Sequence, residues 1–375
     1  METLLPPAAS RVREIPNLTS GLIERTEHGL TILSPAHGRP IRRVLYVNSY
    51  GGGAYWQQIK RGLIAPHHLW GCLELVQRGY EVALAEPLPD FYLHRNPLPH
   101  DLRLLRVVRS WLGRDGIVYC GHNVLYWIPL LRALGALRCR VVSLLFAREP
   151  LDQSRAHSGI VALTGAAAEQ ARKLAPRAKV AQLAWGADLR LYPDLPYEPD
   201  FFLSCGRTLR DHPTLCAAAH LTSSPLRVIA PRLASNLTWP GNVRVFSGPA
   251  DDALPYGELL HDQYAACAAS LIILKSDPAE YTAVGMTNVI EAMAMSRPVI
   301  VTRTGALPTE IDVEKAGCGL HVPPNDAPAL ARAIETLAAD PQRAAAMGRA
   351  GRIQARQRYN IERYATDLHH FFESL

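Results

Sequence analysis

LIILKSDPAEYTAVGMTNVIEAMAMSRPVIVTRTG, residues 271–305, sets two apolar runs on either side of a segment with helical periodicity. LIILK reads as a strand, SDPAEYTAVGM as a loop, NVIEAMAMS as a helix and PVIVT as the next strand. That order is a β-α-β unit, which requires two parallel strands joined by a right-handed crossover. Continuously apolar strands belong to sheets covered on both faces, so the unit points to an α/β protein. It also places an acid, Glu291, just inside the helix.

Glu291 has two readings. With Asn288 as the N-cap it falls at N3, the spacing of a capping box. The helix also starts at a strand's carboxyl end, where the N–H groups of Gly285, Met286 and Thr287 can hold a phosphate. An acid next to a phosphate repels it, so a functional Glu291 would accept hydrogen bonds from hydroxyls such as those of a ribose. The spacing supports both readings equally.

The same alternation extends through the chain. VLYVN (44–48), EVALAE (81–86), IVYCG (117–121), VVSLLF (141–146) and GIVALT (159–164) read as strands. LWGCLELVQRG (69–79), HNVLYWIPLLRALG (122–135) and AAAEQARKLA (166–175) read as the helices between them. At LRLYPDLPYEPD (189–200), three prolines and several acids end the periodicity. Beyond it FFLSCG, LRVIAP, VRVFSG, SLIILK, PVIVT and GLHV resume it. The expected organisation is a first Rossmann-like domain over 1–190, a linker at 191–200 and a second Rossmann-like domain over 201–355. A final helix over 356–375 carries Ile361, Tyr364, Ala365, Leu368 and Phe372 on one face and should pack back on the first domain. Two doubly wound domains of this kind face a central cleft, and open parallel sheets bind ligands at their carboxyl ends.

Composition bounds the function. A chain of 375 residues, 48% apolar and 20% charged, is a folded protein too long for one core. Its apolar runs are too short to span a bilayer. The first twenty residues lack a basic patch followed by an apolar stretch, so a cytoplasmic location is expected. Seven scattered cysteines with no C-x-x-C pair suggest neither a disulfide framework nor a zinc site. Arginines cluster at Arg103, Arg106, Arg109 and Arg114, near a second basic group of Arg42, Arg43, Lys60 and Arg61. This is either a solvated face or a surface for anionic phosphates, in a lipid headgroup or a lipid-linked substrate, with peripheral contact at the inner face of the membrane. No nucleic-acid motif accompanies the charge, so nucleic acid is not an expected partner.

Two further stretches follow strands. NSYGGGAYW (48–56) offers backbone N–H groups at Gly52 and Gly53 to a phosphate or sugar, yet it is neither a dinucleotide fingerprint nor a P-loop. In SCGRTLRDHPTL (204–215), Gly206 allows close backbone approach, and Arg207 and Arg210 can clamp diphosphate oxygens or pair with Asp211.

VGMTNVIEAMAMSRPVIVTRTGALPTEI and AGCGLHVPPNDAPALARAI together resemble the C-terminal signature of the retaining GT-B glycosyltransferases of family 4 (glycosyl transferases group 1). CGRTLRDHPTL resembles that family's glycine-arginine turn, and VALTGAAAEQARKL with KVAQLAWGADLRLYPD resembles the close of its first domain. The resemblance covers roughly residues 115–370. It implies transfer of a sugar, a hexose by expectation, from a nucleoside diphosphate sugar to a hydroxyl acceptor. Configuration is retained, and no metal or other cofactor is needed. The acceptor is a glycan, a lipid-linked molecule or a small molecule.

The resemblance makes Arg207 and Arg210 the diphosphate clamp and puts Glu291 at the donor ribose. Gly206, Gly285, Met286, Thr287 and Asn288 join the donor site, and Gly52 and Gly53 lie near the phosphates. Three positions depart from the family pattern. Ala283 stands where an acid is usual, leaving Glu280 as the nearest one. Phe146 stands where a first-domain histidine is usual, leaving His122 as the candidate. His212 stands where a lysine is usual. The alternatives are a nucleotide-sugar epimerase on the same fold, which needs no acceptor, and a non-catalytic partner subunit, which releases no nucleoside diphosphate.

Overall fold

The computed structural model describes residues 21–86, 98–121, 124–146, 156–206, 208–230, 236–246, 262–275, 283–304 and 310–375. The chain forms two compact units, one running to Trp185 and taking in Ile361–Leu375, the other spanning Gly186–Asn360.

In the first unit the strands are β1 (Leu22–Glu27), β2 (Leu30–Pro35), β3 (Arg42–Val47), β4 (Tyr80–Leu84), β5 (Ile117–Gly121), β6 (Arg140–Leu145), β7 (Gly159–Ala162) and β8 (Lys179–Gln182). They make one sheet of order β1-β2-β4-β3-β5-β6-β7-β8, parallel from β4 to β8. The order reverses between β3 and β5, at the carboxyl end where such sheets hold ligands. The antiparallel hairpin β1–β2 extends the β4 edge and is absent from the expected strands. Its turn, His28–Gly29, has φ of 53° and 71°, as a two-residue turn that follows the strand twist requires.

Helices α1 (Gly52–Lys60), α2 (Cys72–Gln77), α3 (Leu98–Val107), α4 (Trp127–Ala133) and α5 (Gly165–Leu174) connect these strands. Leu45, Val47 and Val118 of the sheet pack with Leu104, Trp111 and Ile128 in one buried cluster under α3 and α4. The buried carboxylate of Asp101 ties these two helices together, accepting from the N–H groups of Tyr126 (2.9 Å), Trp127 and Ile128 (3.2 Å). It thereby satisfies three of the orphan donors that every helix start leaves open.

The second unit carries β9 (Phe201–Cys205), β10 (Leu226–Ile229), β11 (Val243–Phe246), β12 (Cys267–Ile272), β13 (Val299–Thr302) and β14 (Gly319–Val322). All six pair in parallel in the order β11-β10-β9-β12-β13-β14. Counted from β9 this is the 3-2-1-4-5-6 order of a dinucleotide-binding sheet, with its switch point between β9 and β12. Strand β12 begins three residues before the expected SLIILK and ends at Ile272, because Leu274 leaves it to form a bridge with Arg210.

Around this sheet lie α6 (His212–Ala219), α7 (Met286–Ala294), α8 (Ala327–Ala339) and α9 (Pro341–Gln357). Asp340 caps α9 by accepting from the Arg343 N–H at 2.9 Å, and Pro341 occupies the first helical position, where its missing N–H costs nothing. The proline-rich stretch is bonded to this unit: Arg297 donates to the Pro196 carbonyl at 3.0 Å and the Tyr197 hydroxyl to that of Ala268 at 2.8 Å. The last helix, α10 (Ile361–Glu373), belongs to the first unit. Among the described residues no helix is long and apolar enough to cross a membrane.

Candidate functional site

The switch point of the second sheet gathers several of the residues picked out in the sequence. β9 ends at Cys205, and Gly206 follows at φ +119°, a backbone open to glycine. A Cβ there would collide with the Arg210 guanidinium. The turn is then pinned to the residues beyond β12: Lys275 N–H donates to the Leu209 carbonyl at 2.8 Å and Asp211 N–H to that of Ile273 at 2.9 Å. This brings the Arg210 side chain, 7% exposed, over the end of β9.

Arg210 donates through Nε to the Cys205 carbonyl at 3.1 Å, through one terminal nitrogen to the Thr208 carbonyl at 3.0 Å, and through the other to the side-chain oxygen of Asn288. All three acceptors are neutral. Burial disfavours its charge, but a guanidinium stays protonated at any ordinary pH, so a buried cation stands here with no ion pair to a carboxylate among the described residues. Asp211, the candidate partner, instead caps α6, accepting from Thr214 N–H at 3.1 Å and from the Thr214 hydroxyl at 2.6 Å. His212 at the start of α6 is held below the usual histidine range by its own burial and by the charges of Arg210 and Lys275.

Helix α7 supplies the other wall. Its N-cap is Gly285, at φ +80°, which makes Met286, Thr287 and Asn288 the first three helical residues. Asn288 is therefore not the N-cap, and Glu291 stands at the sixth helical position, so the capping-box reading fails. The left-handed glycine begins the helix earlier than the polar residue suggested. Among the described residues no side chain caps this helix and its first turn holds no acid, so its positive end suits an anion.

Asn288 works as a side-chain link: its amide donates to the Tyr264 hydroxyl at 3.1 Å and to the Cys205 sulfur at 3.3 Å while its oxygen accepts from Arg210. The Tyr264 hydroxyl in turn lies 3.4 Å from a carboxylate oxygen of Glu291, itself 3% exposed. Burial raises the Tyr264 phenol and pushes the Cys205 thiol up to about 11, so both remain protonated at neutral pH. Tyr264 is the member that reading the sequence missed. Gln263 and Tyr264 form a π-helical turn entering β12, and nothing local marks a tyrosine there as facing Glu291, 27 residues on.

Arg207, Glu280 and His122 fall outside the described residues. Gly52 and Gly53 lie in the first unit, at the start of α1 beyond β3, and both are buried. There the position of an anion is already filled, because the Glu86 carboxylate accepts from Ala54 N–H at 2.6 Å and from Gly53 N–H. Burial lifts the Glu86 carboxyl, against the pull of those amides and of Arg103. Phe146, beyond β6, packs edge-on against Trp70 with ring centroids 4.7 Å apart, and Trp70 in turn lies 5.1 Å from Trp185.

A parallel sheet of order 3-2-1-4-5-6 with helices on its faces has the Rossmann-like fold. Residues 232–340 match the family described as Glycosyl transferases group 1. No curated protein matches the sequence. Among solved structures, the chain is similar to sucrose-phosphate synthase from Thermosynechococcus elongatus at 15% identity, covering 89% of this chain and 99% of that one with a TM-score of 0.64. Anabaena HepE in complex with UDP is similar at 17% identity, over 89% of this chain and all of that one, with a TM-score of 0.58. The UDP-forming α,α-trehalose-phosphate synthase from Burkholderia vietnamiensis is similar at 11% identity, over 89% and 97%, with a TM-score of 0.62. The GT-B fold expected from the sequence is thus the fold of this chain, and the resemblance to the group 1 glycosyltransferases holds.

Proposed function

We propose that the chain transfers a hexosyl group from a nucleoside diphosphate sugar to a hydroxyl acceptor, with retention at the anomeric carbon and no need for a divalent metal. The observation that carries this is Arg210, a buried cation bonded, among the described residues, to neutral groups, beside an α7 start where those residues supply neither an acid nor a side-chain cap. Two positive features converging on one point favour a diphosphate there. Glu291 would then accept the ribose hydroxyls, with Tyr264 and Asn288 fixing its surroundings.

In the reaction the bond between the anomeric carbon and the bridging phosphate oxygen breaks, and its electrons leave on the diphosphate. The acceptor oxygen bonds to the same face, and its proton passes to the departing phosphate. Arg210 and the α7 N–H groups oppose the charge that develops on that leaving group, and they need no rearrangement to do so. Arg207 and Glu280 are proposed to contact the diphosphate and the sugar, and His122 the acceptor side.

Calorimetric titration with UDP, GDP, ADP and dTDP tests the reading, with UDP first because HepE of similar fold is known in complex with UDP and with UDP-glucose. Arg210→Gln should weaken the preferred nucleotide roughly tenfold or more, since a charge-assisted bond contributes about 1.5–3 kcal/mol. Glu291→Gln should weaken the nucleotide while leaving inorganic pyrophosphate unchanged. Failure of all four nucleotides to bind would overturn the proposal. A second reading, a partner subunit that binds the nucleotide without transferring sugar, draws on Phe146 packed against Trp70 where the family's histidine is expected. It predicts nucleotide binding with no nucleoside diphosphate release from any donor and acceptor.

A further inference from the structure

Helix α4 is apolar on both sides. Inward it places Ile128 and Leu131 on the core cluster under the sheet, which Leu125, just before the helix, joins. Outward it presents Trp127 and Leu130, 38% and 37% exposed, and beyond its last turn Leu134, 72% exposed. These follow at intervals of three and four and so share one helical face. Tyr126 at its start and Leu102 of the adjoining α3 are exposed as well, so five of the nine exposed large apolar residues among those described lie on this one pair of helices. Singly exposed apolar side chains need no explanation, but a cluster of them does.

The charge around this cluster is one-sided. Residues 98–140 hold seven arginines against two aspartates, a net +5 in a chain whose total is +6. One aspartate, Asp101, is buried as the cap of α4, which leaves Asp115 as the sole acid on the surface of this stretch. Arg103, Arg106 and Arg109 line the exposed side of α3 and of the turn that follows it. Among the described residues none of the three makes a direct ion pair, whereas Arg25, Arg43, Lys60 and Arg78 elsewhere in the unit all do; Arg103 donates to the Gly29 carbonyl at 3.4 Å and its charge acts on Glu86, while Arg106 and Arg109 have no acid beside them among the described residues.

We infer that the α3–α4 face docks on an anionic lipid surface, with Trp127, Leu130 and Leu134 entering the headgroup boundary and the arginines of α3 meeting lipid phosphates. The complementarity is twofold: an exposed aromatic and leucine stripe suits the apolar boundary, and an exposed arginine row suits negative headgroups. A protein partner of ordinary kind would favour a patch depleted of charge at its centre and mixed in sign at its rim. This face is of one sign. The inference rests on the surface of the first unit and stands whether or not the nucleotide reading holds.

Flotation of the full chain with lipid vesicles tests it. Wild type should float with vesicles of phosphatidylcholine containing about one phosphatidylglycerol in three, should stay behind with phosphatidylcholine alone, and should be released by salt. Replacing three arginines, in Arg103→Gln/Arg106→Gln/Arg109→Gln, should weaken binding about a hundredfold, at about fivefold each. Leu130→Ser/Leu134→Ser should abolish flotation. All the substituted side chains are exposed, and an unchanged melting temperature with unchanged nucleotide affinity certifies that the variants are folded. Equal partition into both vesicle types, no flotation by wild type, or flotation unaffected by the variants would each overturn the inference. So would a wild-type dimer, without lipid binding, that Leu130→Ser/Leu134→Ser converts to monomer, because the face would then belong to a second copy.

Discussion

His212 shows how one residue reports on the charge around it. It sits at the first position of α6, and its burial together with the charges of Arg210 and Lys275 keeps its imidazole neutral below the usual histidine range. Between the ordinary value and that lowered one, the unfolded chain binds a proton that the folded chain does not. Stability therefore rises with pH across this window and is lost as the pH falls from about 6.5. The expected outcome is a melting temperature that drops between about pH 7.5 and 5.5, and a shallower drop in His212→Gln. A diphosphate bound at Arg210 would add negative charge nearby and lift the histidine, so saturating nucleotide should also flatten the profile. A slope that neither the substitution nor the nucleotide changes would show that His212 does not sense this site.

At the level of elements, the start of α7 depends on a backbone shape more than on any side chain. Gly285 caps the helix at φ +80°, and a Cβ there would meet the Ile272 side chain at 2.8 Å. Gly285→Ala should cost about 1–3 kcal/mol from the left-handed backbone and the contact. It should also weaken nucleotide binding, because the N–H groups of Thr287 and Asn288 would turn away. Calorimetry on the variant checks both effects, and a loss of stability with unchanged affinity would separate α7 from the nucleotide site. The same element marks what could be read in advance. The parallel strands were legible because each is an unbroken apolar run bounded by turn residues, as in VLYVN or PVIVT. The β1–β2 hairpin was not, since β1 is largely exposed, with Ile23 at 49%, and its turn is His-Gly and lacks an asparagine. Gly206, Arg210, Asn288 and Glu291 stood out because they follow strand ends. Tyr264 and Glu86 did not, because each is brought to its place by pairing between distant strands, which leaves no local period.

For the whole molecule the last fifteen residues decide whether the first unit can exist by itself. Helix α10 buries Ile361, Tyr364, Ala365, Leu368, Phe371 and Phe372, all of them against the unit formed by residues far earlier in the chain. The Tyr364 hydroxyl meets that of Tyr119 of β5 at 2.8 Å, and Arg42 of β3 donates to the Phe372 carbonyl at 2.9 Å. Gly159 at the start of β7 leaves room for the Phe371 ring, which a Cβ would approach to 2.7 Å. Each large apolar side chain removed from water contributes about 1.5–3 kcal/mol, so the five of these six that are larger than alanine together rival the entire stability of an ordinary domain, about 5–15 kcal/mol. Truncation after Asn360 should therefore leave the first unit unfolded while the second, which ends at Asn360, keeps its fold. Limited proteolysis of the truncated chain should digest residues before Trp185 and spare a fragment near Gly186–Asn360. That fragment should still bind the nucleotide at Arg210, whereas lipid binding through α3 and α4 should be gone. A truncated chain that resists proteolysis throughout would mean that the first unit holds its core without α10, against the burial described here.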